Sequence, residues 1–214
     1  KDAQTRQAVV ETVAQVATKF AKAFLGKLQG QSGPTALDVL EAGLKSADPG
    51  LRATAAAHLK KLRSTAKGLG EFSLTLSGGD AALGKRIFGT HAIQCVRCHQ
   101  IKGFGGDAGP DLSKIGRTLK PEQLVESLIE PSVRIAEGFG TFEFELKDGE
   151  SVAGFVRSED AKSVTLALMD GRELAVPQAD IRRRSSPASA MPSMREALTR
   201  REIRDLVAYL SGLK

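Results

Sequence analysis

Apolar residues recur every three or four positions at Val9, Val13, Val16, Phe20 and Phe24, which predicts an amphipathic helix near the start of the chain. After a break from Gly30 to Pro34, Leu37, Leu40 and Leu44 predict a second helix. Asp48-Pro49 opens a third, with aspartate as N-cap and proline in the first turn, and its apolar side runs through Leu51, Ala55, Leu59 and Leu62. Gly68 to Gly79 is glycine-punctuated and reads as a linker. Beyond it, Asp80 caps a helix running through Phe88, with Leu83 and Ile87 on one face. A proline-started helix spans Pro121 to Ile129, burying the pairs Leu124/Leu128 and Val125/Ile129. At the far end Thr199-Arg200-Arg201-Glu202 is a capping box, followed by a stripe of Ile203, Leu206, Val207 and Leu210 with Tyr209 beside it.

Between the last two helices the period changes to two. Phe142, Phe144 and Leu146 alternate with Glu143 and Glu145, Asp148-Gly149 turns the chain, and Val152, Gly154 and Val156 continue. Val164, Leu166 and Leu168, the turn Asp170-Gly171, and Leu174 and Val176 repeat the pattern. This predicts a four- or five-stranded antiparallel sheet or small barrel over about residues 139–184. The expected architecture is mostly α: a helical extension at 1–67, a linker at 68–79, and a domain at 80–214 that contains the β insertion.

Composition narrows the classes. With 214 residues and 41% hydrophobic content the chain suits one or two small domains with proper cores. No apolar run approaches the roughly 18 residues needed to span a bilayer, and Lys1 to Arg6 are polar, so the chain reads as a mature or trimmed product without a signal core. The net charge of +6 comes from 31 basic and 25 acidic residues interspersed along the chain. That balance, with 5% aromatics, argues against nucleic-acid binding.

The most specific chemistry lies in Cys95-Val96-Arg97-Cys98-His99, which uses every cysteine in the chain. C-x-x-C-H is the attachment signature of a c-type haem: two thiols add to the porphyrin vinyl groups and the adjacent histidine binds iron. A zinc site would need four ligands, and the supply beyond the cysteines is only His58, His91 and His99. A thioredoxin-like C-x-x-C expects a βαβ setting, and the flanks here read as helix before and glycine loop after. A disulfide closing so small a loop would stabilise little. One covalent haem c, with His99 on its iron, is the expectation.

Gly84 and Phe88 on the helix before this motif, with Leu206 and Tyr209 on the last helix, resemble the crossed terminal helices of class I cytochromes c. Gly109-Pro110-Asp111-Leu112 resembles the family segment whose proline carbonyl meets the proximal imidazole, which implies that Pro110 orients His99. Ser189-Ala190-Met191-Pro192 resembles the loop that carries the ligating methionine, which implies Met191 as the sixth ligand. Met194 is the nearby alternative, Met169 reads as core, and His58 and His91 are further candidates. A CxxCH core, a β insertion, a Met-Pro loop and the ending Leu198 to Leu210 resemble the Planctomycete/Verrucomicrobium-type haem-binding domain over about residues 80–212. Asp48, Pro49, Arg52, Ala55 and Leu59 resemble one HEAT-type unit, and a small helical extension packed on the next domain reads the same residues equally well.

The resemblance implies cofactor-binding roles for Cys95, Cys98, His99, Pro110, Met191 and Phe88, with His99 and Met191 on the iron. An iron so ligated has no open position, so the expected function is one-electron transfer between a dehydrogenase and a downstream cytochrome or oxidase, not catalysis. The alternative is a gas sensor or ligand-binding protein with an open sixth position; a peroxidase is disfavoured by the single attachment motif. Haem attachment outside the bacterial cytoplasmic membrane implies a periplasmic location. Arg182, Arg183, Arg184, Arg195, Arg200, Arg201 and Arg204 bracket the methionine loop and would steer an acidic redox partner, unless they are solvated helix and strand charges.

Overall fold

The computed structural model describes residues 3–16, 33–65, 68–168 and 170–214. Among the described residues the first helices are α1 (Ala3–Val16), α2 (Ala36–Leu44) and α3 (Pro49–Thr65). Asp48 caps α3 by accepting from the Leu51 amide at 2.8 Å, and Leu37, Leu40, Leu51 and Ala55 are buried. On α1 Ala3 and Val10 are buried, whereas Val9, expected on the apolar stripe, is 57% exposed. Phe20, Phe24 and Met169 lie outside the described residues.

Within the glycine-punctuated stretch 68–79, Gly70–Thr75 form a 3-10 helix whose Phe72 is buried in the main core. The stretch is thus pinned by an aromatic anchor. Next come α4 (Ala81–Thr90), a 3-10 turn at Cys95–Arg97, the hairpin strands β1 (Gln100–Ile101) and β2 (Phe104–Gly105), α5 (Ile115–Thr118) and α6 (Pro121–Ile129). The chain ends in α7 (Arg200–Ser211), whose capping box forms as its sequence requires. Phe88, Leu124, Val125, Ile129, Ile203 and Leu206 share one core with Phe72.

The expectation of a mostly α fold is overturned by the insertion. Strands β3 (Gly140–Leu146), β4 (Ser151–Glu159), β5 (Ser163–Ala167), β6 (Glu173–Pro177), β7 (Ile181–Arg184) and β8 (Ala188–Ser189) build a six-stranded antiparallel sheet. Its order is β6-β5-β4-β3-β7, with β8 also on β3, an open sheet in place of a barrel. The sheet has its own core of Phe144, Val164, Leu166 and Val176, separate from that of the helices. That second core makes the architecture α plus β. The inward Phe142 and Phe144 follow the period-two alternation, and the Arg184 guanidinium lies 4.0 Å from the Phe142 ring centre. β8, only two residues long, has no alternation to betray it.

The helical extension is bound to α7 by charge. Arg204, 1% exposed, donates to Asp38 Oδ1 at 2.7 Å, and Arg6 donates to Asp38 Oδ2 at 2.9 Å. Arg200 donates to Glu41 at 2.8 Å and Glu71 at 2.5 Å, and Arg201 to Glu11 at 2.9 Å, which holds the Glu11 carboxyl below its ordinary range. The other arginines of the expected positive ring are also paired: Arg182 and Arg183 with Glu145, Arg184 with Glu159, and Arg195 with Glu130. Each of these arginines thus has a carboxylate beside it, with Arg182 and Arg183 sharing Glu145.

Candidate functional site

Asp80 accepts from the Ala82 and Leu83 amides and starts α4, whose glycine face meets α7. At Gly84 a β-carbon would strike the Asp205 carbonyl and lie 2.8 Å from Tyr209 Cβ, so only glycine permits this approach. Phe88 fills the crossing, its ring centre 6.1 Å from that of Tyr209 at 54°. Burial pushes the Tyr209 hydroxyl up from its ordinary pKa. Asp205 accepts from the Asp80 amide at 2.8 Å, tying the start of α4 to α7, and burial pushes its carboxyl up.

After α4 the chain turns at His91 and passes through Gln94, which adopts a left-handed conformation at φ 51°. It then closes one tight turn in which the Cys95 carbonyl accepts from the Cys98 amide at 3.2 Å and the His99 amide at 3.0 Å. Positions i, i+3 and i+4 of such a turn project to one side, which is why the signature has this spacing. Cys95 is half-buried and Cys98 exposed, and no disulfide joins them. Burial pushes the Cys95 thiol up.

The following loop is laced onto that turn. The Gly106 amide donates to the Val96 carbonyl at 2.9 Å, the Gly109 amide to Cys98 at 2.7 Å, and the Leu112 amide to Gln100 at 2.9 Å. Gly109 thereby lies against the His99 ring: a β-carbon there would sit 2.7 Å from Cε1 and 2.8 Å from Nδ1. His99 Nδ1 is 2.9 Å from the Pro110 carbonyl oxygen. A carbonyl can only accept, so the proton resides on Nδ1 and the Nε2 lone pair is left for a ligand.

Of the distal candidates, Met191 is half-buried at the edge of the main core. Met194 is 4% exposed inside that core, with its amide donating to the Leu128 carbonyl at 2.8 Å. His91 accepts from the Ile93 amide at 3.3 Å and stands 3.7 Å from Glu202, while His58 sits half-buried on α3 in the extension. Among the described residues no cluster of three or more His, Cys, Asp or Glu is placed to hold a metal ion. None of the described helices is long and apolar enough to cross a membrane. Sequence reasoning missed Ser132, whose hydroxyl oxygen accepts from the Ser189 amide, and Ser193, whose hydroxyl donates to the Ile129 carbonyl, because a serine pairing across the fold leaves no local pattern.

These features fit a porphyrin. Two cysteines and a histidine leave one turn, the imidazole is oriented by a carbonyl, and Ile93, Val96, Leu112, Ile115 and Leu119 are partly exposed apolar residues packed against the main core. Fold and site together define a c-type cytochrome domain. A family model described as cytochrome C oxidase, cbb3-type, subunit III matches residues 79–156, a little over a third of the chain. No curated protein matches the chain. The domain carries covalently bound haem c with its iron, and its role is haem-based electron transfer. When bound, that group supplies a metal centre that takes up and returns one electron.

Proposed function

We propose that the chain is a one-electron carrier with a single haem c, held through Cys95 and Cys98, with His99 and Met191 as axial ligands. Pro110 and Gly109 orient the proximal imidazole, and Phe88 supports the pocket wall from the helix crossing. The carrier works outside the cytoplasmic membrane, as residues 80–214 with a helical extension at 1–67, between a dehydrogenase and a downstream cytochrome or oxidase. The paired arginines lend no weight to an acidic partner. The observation that carries this reading is the His99 imidazole, its Nδ1 bound to the Pro110 carbonyl and its ring backed by Gly109. A neutral imidazole so fixed is a better donor through Nε2 than a freely rotating one.

The decisive test is the distal side. In the parent protein the ferric spectrum is expected to show the far-red band of methionine sulfur on iron, and the ferrous form is expected to bind carbon monoxide slowly. Met191→Ala should remove the band and speed carbon monoxide binding by at least about tenfold, because the competent fraction then approaches one. Prompt binding by the parent would instead identify a ligand-binding protein.

The proximal side has its own test. In Gly109→Ala the new methyl meets the imidazole ring, so the ring or the loop must move. In the ferrous carbon monoxide complex, where the distal side is filled, added imidazole is expected to displace the proximal ligand roughly ten- to a hundredfold more readily in this variant, the usual scale for loss of an orienting partner. Unchanged competition would mean that the loop lifts without turning His99.

A further inference from the structure

We infer that the inserted sheet and the end of α6 form a clamp on the methionine loop, which makes Ser132, Ser189 and Ser193 positioning residues for Met191. This rests on the distal-ligand reading above. A helix end leaves carbonyls without partners, and at the end of α6 the methionine loop supplies them. The Ser193 hydroxyl donates to the Ile129 carbonyl at 2.7 Å, and the Met194 amide to the Leu128 carbonyl at 2.8 Å. Just past α6, the Ser132 hydroxyl oxygen accepts from the Ser189 amide at 3.1 Å.

The sheet grips the other end of the loop. β8 pairs with β3, setting Ala188 opposite Thr141 and Ser189 opposite Gly140, and the Thr141 hydroxyl donates to the Ala188 carbonyl at 2.8 Å. Residues 188–189 and 193–194 are therefore both anchored, and Ala190-Met191-Pro192 bridges them. Within the bridge the Met191 amide donates to the Ser189 hydroxyl oxygen at 3.2 Å, and Pro192 has a locked φ. The backbone at Met191 cannot move away without breaking one anchor. An insertion that served only as decoration could end anywhere; this one ends two residues before Met191.

The test uses the full-length, haem-loaded protein and reads carbon monoxide association with the ferrous form, alongside the far-red ferric band and thermal melting. Ser193→Ala and Ser132→Ala are each expected to speed binding by about five- to tenfold, the scale of one lost hydrogen bond, and to weaken the band. Asp148→Ala is the control: Asp148 holds the β3–β4 turn by accepting from the Glu150 amide at 2.9 Å, at the opposite end of β3 from the residues that pair with β8. It should lower the melting temperature and leave the binding rate unchanged. Serine variants that melt earlier yet bind no faster than the parent would overturn the clamp while Met191→Ala still opens the site. If Met191→Ala itself binds no faster, the ligand assignment fails and the clamp falls with it.

Discussion

Gly84→Ala is expected to lower the thermal midpoint by on the order of 10 °C, although alanine is the better helix former by about 1 kcal/mol. The added methyl meets the Asp205 backbone carbonyl and sits 2.8 Å from Tyr209 Cβ. No rotamer change relieves a clash with backbone, so α4 and α7 must move apart. Overpacking of this kind costs roughly 1–3 kcal/mol, and parting Phe88 from Tyr209 removes about 0.5–1.5 kcal/mol more. Gly89 on the same helix is the control, since nothing lies within 4 Å of a β-carbon built there. Gly89→Ala should hold or raise the midpoint. A Gly84→Ala melt that matches the parent would show that the crossing has slack.

Asp38→Ala should be comparably damaging through charge. Asp38 is 0% exposed and accepts from both Arg204 and Arg6. Without it the Arg204 guanidinium, itself 1% exposed, keeps among the described residues only Asp205 at 3.8 Å as an ion-pair partner. Arg6 is better placed, being 20% exposed and also bound to the Gly78 carbonyl. Breaking a buried pair on one side costs about 3–5 kcal/mol, whereas replacing both members by apolar groups is often near neutral. The double variant Asp38→Leu with Arg204→Met should therefore recover most of what Asp38→Ala loses, measured by urea unfolding. A loss below about 1 kcal/mol in Asp38→Ala would show that water reaches the pair.

Both effects sit where sequence reading was uneven. Gly84 and Phe88 were legible because they hold fixed positions on a well-capped helix relative to Cys95 and His99. Asp38 was not, since an acidic residue among helical leucines looks solvated until Arg204 is brought against it. The arginines near the methionine loop show the same limit: charge is visible in a sequence, but the carboxylates beside it are contributed by α1, α2, β3, β4 and the end of α6. Val9 misled differently, because a stripe at helical spacing does not say which side meets a neighbour.

The chain's own pattern determined the local elements and the attachment chemistry. Caps such as Asp80 and Thr199 act within a few residues, strand alternation has a period of two, and the three attachment residues are brought together by one turn, so all of these can be read locally. Tertiary structure decided what depends on residues far apart. It joined six strands into an open sheet with its own core, moving the fold from mostly α to α plus β. It tied the helical extension to α7 through buried charge, and it set β8 and the end of α6 on either side of Met191. Pairings across such distances in the chain are chosen by which surfaces meet, and no local spacing records that choice.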